Sequence, residues 1–125
     1  MKKISINDFP KNKNNIFELI KNKKEVYFFG AGVICEKTLS SLDNIKFKGI
    51  FDNSKNLHNT FENKLKIENP EKIKKINLNN LFIIITTTSF RDVITQLEKF
   101  GLKKNDNFCV SHVLKDQFVI EDMQS

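Results

Sequence analysis

The chain has 125 residues and a net charge of +6, and this length suits one domain with one hydrophobic core. Hydrophobic residues make up 39% of the sequence and charged residues 29%, which argues against a disordered chain. No apolar stretch approaches the roughly 20 residues that span a bilayer, and the polar residues after Met1 do not form a signal sequence. We therefore expect a cytoplasmic protein without a membrane span.

The positive charge comes almost entirely from lysine, because Arg91 is the only arginine among the 21 basic residues. Base reading relies on the planar arginine side chain, and binding of single strands relies on aromatic side chains interleaved with basic ones. The sequence shows neither pattern, so we expect no nucleic-acid partner. Cys35 and Cys109 stand among apolar residues, and neither has a second thiol at ligand spacing. We expect both thiols to be buried, and we expect no metal site.

Alternating strands and helices are predicted from the apolar pattern. The predicted strands are 25–29, 47–51, 65–67, 81–86 and 107–110. The predicted helices are a short leading helix around 16–20, a helix at 32–42, one from Pro70 through 76, one that Ser89 caps and Gly101 ends, and a last turn at 113–119. Because each crossover is helical, we expect one α/β domain over residues 1–125 with its core at 24–110. Its open parallel sheet would have about five strands in the order 3-2-1-4-5, with helices on both faces.

A glycine-containing loop, Gly30-Ala31-Gly32, follows the first predicted strand, and Asp52 ends the second. In a dinucleotide-binding βαβ unit the first glycine permits the tight turn, and the second lets a pyrophosphate approach the start of the helix. The carboxylate twenty residues later accepts hydrogen bonds from the ribose hydroxyls. The third glycine of that pattern is replaced by Cys35. The alternative is that the glycines only shape a turn and that Asp52 is a turn former.

Four hydroxyl side chains, Thr86 to Ser89, follow the predicted central strand. Ligands of open α/β sheets bind at the carboxyl ends of the strands, so these hydroxyls are candidates for contacts with ribose or phosphate. Ser89 as a helix cap and Thr86 as a strand residue are the structural alternative. The candidate nucleotide-binding residues are Gly30, Ala31, Gly32, Val33, Ile34, Asp52, Asn53, Thr86, Thr87 and Thr88.

Several catalytic motifs are missing from the sequence. It contains no Gly-Lys-Ser/Thr phosphate loop, no His-Glu-x-x-His, no Gly-x-Ser-x-Gly and no Tyr-x-x-x-Lys pair. The two histidines, His58 and His112, stand far apart along the chain. The sequence therefore leaves open whether the chain catalyses a reaction.

Residues 24–110 resemble a group of bacterial Rossmann-like domains, and segments 26–32, 49–53, 83–86 and 97–101 carry the resemblance. Such domains occur in proteins of sugar-nucleotide and surface-polysaccharide biosynthesis, including the N-terminal parts of sugar acyltransferases and modules attached to sugar-modifying enzymes. The resemblance implies a module that binds NAD(P) or a nucleotide sugar beside a separate sugar-modifying enzyme. Two alternatives stay open: an NAD(P)-dependent oxidoreductase subunit that a partner completes, and a non-catalytic interaction scaffold.

Overall fold

The described part of the chain contains six strands and three α-helices. In the computed structural model, which describes Ser5 and residues 8–115, the helices are α1 (Lys13–Ile20), α2 (Val33–Ser41) and α3 (Phe90–Lys99). The strands are β1 (Glu25–Phe29), β2 (Gly49–Phe51), β3 (Phe61–Glu62), β4 (Leu65–Glu68), β5 (Leu81–Ile85) and β6 (Phe108–Val110). Short 3-10 helices span Lys55–Leu57, Pro70–Lys75, Leu78–Asn80 and His112–Leu114.

The strands form one sheet in the order β3-β4-β2-β1-β5-β6. All neighbouring pairs are parallel except β3 and β4. Without β3, the order is the predicted 3-2-1-4-5, so the prediction of a Rossmann-like α/β fold is confirmed. Phe29 of β1 pairs with Phe51 of β2 and with Ile85 of β5. The three central strands therefore end at the same level, and the loops that follow them meet at one edge of the sheet.

Both faces of the sheet are covered by helices, as predicted. One core contains Ile16 and Ile20 of α1 and Cys35 of α2, packed with strand residues such as Phe28. The core on the other face contains Phe90, Val93 and Leu97 of α3 together with Ile73 of the 3-10 helix. All five residues of β5 are fully buried, which agrees with the central position predicted for this strand. Both cysteines are buried and unbridged, also as predicted.

The structure differs from the predicted elements in several places. Strand β3 was missed because it has two residues at the sheet edge; it joins β4 through Asn63 and Lys64, which both have positive φ angles. Strand β2 begins at Gly49, two residues after the predicted start at Phe47, although Lys48 N–H already donates to the carbonyl of Val26. The segment after Pro70 is a 3-10 helix. Of the predicted last turn, the structure shows a 3-10 helix at His112–Leu114, and residues 116–119 lie outside the described part.

None of the helices in the described part of the chain is long and apolar enough to cross a membrane.

Candidate functional site

The loop between β1 and α2 begins at Gly30, which is packed tightly between neighbouring strands. Its φ angle is +113°, and a Cβ atom at this position would lie 2.8 Å from the Cβ of Thr87 and 3.1 Å from backbone atoms of Thr86. Its N–H donates to the carbonyl of Phe51 at 2.8 Å. Glycine is therefore required here both for the backbone conformation and for the close approach of β5.

Gly32 at the start of α2 lies in an open environment. Its φ angle is +135°, and a Cβ atom there would meet no atom within 4 Å. The first helical hydrogen bond runs from Glu36 N–H to the Gly32 carbonyl, and no side chain caps the helix. The N–H groups of residues 33–35 precede this ladder and lie at the positive end of a nine-residue helix. Val33 leaves 66% of its surface exposed at the same end. This arrangement offers space and donors to an anion.

Asp52 follows β2 and is joined directly to the glycine loop. Its Oδ2 accepts a hydrogen bond from Ala31 N–H at 2.9 Å, and its Oδ1 accepts one from Ser54 N–H at 2.8 Å. The imidazole Nε2 of His58 donates to the carbonyl of Asp52 at 2.7 Å. A carboxylate oxygen can accept two hydrogen bonds, so each oxygen of Asp52 keeps a free acceptor position. Asp52 therefore holds the loop in place and retains acceptors for a ligand.

Asn53 makes a contact that the sequence did not predict. Its amide nitrogen donates to Gln96 Oε1 at 2.9 Å, and the amide nitrogen of Gln96 donates to Asn53 Oδ1 at 3.0 Å. These two bonds link the end of β2 to α3, between residues 43 positions apart in the chain. No local pattern marks such a contact, and Gln96 was absent from the candidate residues for that reason.

The threonines after β5 differ in their surroundings. Thr86 is 2% exposed, and its hydroxyl donates to the Gly30 carbonyl at 2.6 Å, with the Phe29 carbonyl 3.2 Å away. The hydroxyl oxygen of Thr87 accepts from Ser89 N–H at 3.2 Å, and Thr88 is exposed. Thr86 and Thr87 thus have structural partners. Ser89 stands at the cap position of α3, but its side chain makes no cap hydrogen bond, so the prediction that Ser89 caps this helix is wrong.

Ile34 and Cys35 form the buried side of the first turn of α2. Ile34 is half-buried and packs against the core that α3 covers, while Cys35 is fully buried on the opposite face. Burial, with a further contribution from Glu62, raises the pKa of the Cys35 thiol to about 12. The thiol is therefore neutral at physiological pH, and Cys35 acts as a small packing residue at the position of the third glycine. Within residues 8–115, no three His, Cys, Asp or Glu side chains gather in a way that could hold a metal ion.

His112 belongs to a polar cluster beside the C-terminal half of α2. Its Nε2 lies 3.1 Å from the hydroxyl of Ser41, and the hydroxyls of Thr38 and Ser111 are 2.6 Å apart. The Nδ1 atom of His112 is buried without a hydrogen-bond partner. Burial, and next the charge of Lys13, lowers the pKa of His112. His58 contacts the end of β2 instead, so the two histidines contact different elements and share no hydrogen bond.

No protein-family model matches the sequence, and no curated protein matches it. Among solved structures, the chain is similar to RSP, a Rex-family repressor, with a TM-score of 0.53 and 14% identity. RSP in complex with beta-NADH gives 0.52 and 14%, and RSP in complex with beta-NAD+ and operator DNA gives 0.53 and 16%. Each match covers 89% of this chain and 62 to 65% of the neighbour. The chain therefore spans less than two thirds of the length of these neighbours. Because the identities are this low, the similarity shows the fold alone.

Two expectations change with this comparison. Excluding nucleic acid was wrong, because one of these neighbours was solved with operator DNA. That exclusion rested on the low arginine content, which does not by itself exclude a nucleic-acid partner. The sugar-nucleotide and polysaccharide context finds no support, because the neighbours are repressors and two of them hold a nicotinamide dinucleotide.

Proposed function

We propose that this chain is a binding module for a nicotinamide adenine dinucleotide, NAD(H). The observation that carries the proposal is the 2.9 Å hydrogen bond from Ala31 N–H to the Asp52 carboxylate. It places the acid that can bind ribose directly beside the uncapped start of α2. The similarity to repressor structures that contain beta-NADH or beta-NAD+ supports the choice of this ligand over a nucleotide sugar.

Each part of the loop has a defined role in this proposal. The pyrophosphate would lie over Gly32, where no side chain intervenes, and accept hydrogen bonds from the first N–H groups of α2. The free acceptor positions of Asp52 would bind the adenosine ribose hydroxyls. The exposed side chain of Val33 would be covered by the ligand. Thr86 would support the site indirectly by holding the Gly30 carbonyl.

In this proposal the module binds NAD(H) and catalyses no reaction by itself. The thiol next to the loop, Cys35, is buried and neutral, which removes it as a nucleophile. The hydroxyl of Thr86 is buried and donates to the backbone, and no histidine hydrogen-bonds to it. An oxidoreductase built on this domain would need acid-base residues from a partner. We therefore expect the purified chain to bind NADH without oxidising it.

A charge placed at the start of α2 tests the proposal. Val33→Asp puts a carboxylate where the pyrophosphate would lie, and like charges about 4 to 5 Å apart should weaken NADH binding about tenfold or more. The fold should tolerate this change, because Val33 is exposed and an acidic residue stabilises a helix start by about 0.3–1 kcal/mol. Val33→Thr, which keeps the shape and adds no charge, is the matched control. Affinities would be measured by calorimetric titration of each purified variant.

Two results would refute the proposal. One is that the wild type fails to bind NAD+ or NADH while a UDP-sugar, a CDP-sugar or coenzyme A binds. The other is that Val33→Asp binds NADH as tightly as Val33→Thr does, since the helix start would then lie outside the site.

A further inference from the structure

We infer that the reciprocal amide pair Asn53–Gln96 recognises the adenine base and makes the site selective for adenine over other purines. This inference rests on the proposed binding of NAD(H) and extends it to a residue, Gln96, that lies on α3 and outside the glycine loop.

The location of the pair follows from the position of Asp52. A carboxylate that binds the ribose hydroxyls fixes the sugar, and the base is joined to that same sugar. Asn53 is the next residue in the chain after Asp52, and it is exposed at the sheet edge. Gln96 reaches the same point from α3, through hydrogen bonds of 2.9 and 3.0 Å. Two side-chain amides therefore stand beside the place where the base would extend from the ribose.

The hydrogen-bonding capacity of the pair suits adenine. A side-chain amide has two N–H donors and an oxygen with two acceptor positions. The reciprocal bonds use one donor and one acceptor of each amide, so one of each remains on Asn53 and on Gln96. Adenine presents its amino group beside the acceptor N7, and the remaining N–H of one amide together with the remaining oxygen acceptor of the other can bind both atoms. Hypoxanthine has a carbonyl in place of the amino group, so the same edge offers two acceptors and no donor.

The mutual bonds also hold the amides in a defined orientation. If one amide turned over alone, oxygen would face oxygen and nitrogen would face nitrogen, and both bonds would be lost. An amide that cannot turn freely cannot adapt to a carbonyl at the position of the adenine amino group. The selectivity should therefore depend on both members of the pair.

The test compares two dinucleotides that differ only in the base. NADH and reduced nicotinamide hypoxanthine dinucleotide would be titrated into the wild type, Gln96→Leu and Asn53→Ala. Thr95→Ala is the matched control, because Thr95 is the exposed neighbour of Gln96 on α3 and its hydroxyl bonds the Arg91 carbonyl. We expect the wild type and Thr95→Ala to prefer NADH about tenfold. The two pair variants should lose this preference through weaker NADH binding, with the hypoxanthine affinity unchanged.

A purely structural tether between β2 and α3 would give a different result. Both dinucleotides would then lose affinity by the same factor in the pair variants, and the preference of the wild type would persist. That result, or equal binding of the two dinucleotides by the wild type, would overturn the inference while leaving the proposed function intact. If neither dinucleotide binds the wild type, the proposed function and the inference both fail. Two variants, one on each element, keep the test decisive if one of them does not fold.

Discussion

The two glycines of the loop allow a matched comparison that separates packing from backbone strain. Gly30 has a φ angle of +113° and Gly32 one of +135°, so alanine is strained at either position. The strain of such a conformation in a residue with a side chain is of order 1–3 kcal/mol. The surroundings differ, because an added Cβ would lie 2.8 Å from the Cβ of Thr87 at Gly30 and would meet nothing within 4 Å at Gly32.

The difference between the two variants should therefore report the packing cost. Contacts shorter than 3.2 Å with the backbone of Thr86 cannot be relieved by a side-chain rotation, and overpacking of this kind costs about 1–3 kcal/mol. We expect Gly32→Ala to lower the free energy of unfolding by about 1–3 kcal/mol. Gly30→Ala should lower it by about 2–6 kcal/mol, the sum of both terms.

Urea denaturation monitored by circular dichroism measures both values, and equal slopes in the two variants would show that the unfolded states are comparable. If Gly30→Ala is as stable as Gly32→Ala, or more stable, the packing cost at Gly30 is refuted. Ligand binding gives an independent readout, because the new methyl group of Gly32→Ala occupies the open space in front of the helix. That variant should bind NADH more weakly than the wild type while remaining folded.

Three further measurements address other residues of the site. Thr86→Val keeps the side-chain shape but leaves the buried Gly30 carbonyl without its donor, so urea denaturation should show a loss of about 1–3 kcal/mol, and a loss below about 0.5 kcal/mol would contradict this role. The Asp52 carboxylate should repel the 2′-phosphate of NADPH by about 1–3 kcal/mol, so NADPH should bind about tenfold or more weakly than NADH in calorimetric titrations. Asp52→Asn should reduce the difference between the NADH and NADPH affinities. An unchanged affinity ratio would show that Asp52 does not contact the ribose. Because burial lowers the pKa of His112, the imidazole binds a proton more readily in the unfolded chain than in the folded one. Stability should therefore fall as the pH drops below about 6.5, with a smaller fall in His112→Gln, and identical pH profiles would exclude this origin.

Local sequence patterns were sufficient to predict the five parallel strands of the sheet and the position of the loop. The run Leu81–Ile85 is apolar on both faces, which can be satisfied only in the middle of a covered parallel sheet, and the structure buries all five residues. Gly30 and Gly32 follow a strand directly and precede a helix, so the order of the elements alone locates them at the carboxyl edge. These predictions succeed because they depend on residues close together in the chain.

The contacts that shape the site depend on residues far apart in the chain, and the sequence did not reveal them. The hydroxyl of Thr86 was interpreted as a candidate ligand contact, although it donates to Gly30, 56 residues away. The partner of Asn53 lies on α3, at a position that the helical pattern marks only as polar. Ser89 occupies the cap position without capping, because capping depends on side-chain geometry as well as on residue type.

The hydrogen bonds at the carboxyl edge show how such a site can be rigid before a ligand arrives. Ala31 N–H and Ser54 N–H orient the Asp52 carboxylate, and Thr86 holds the Gly30 carbonyl. These bonds pair donors and acceptors of the loop that would otherwise bind water. They leave the first N–H groups of α2 facing open space. A ligand that binds there has little backbone to order, and preorganisation of this kind reduces the entropic cost of binding. The geometry therefore favours a domain whose affinity for a dinucleotide comes from its backbone and one carboxylate, with selectivity set by the side chains around them.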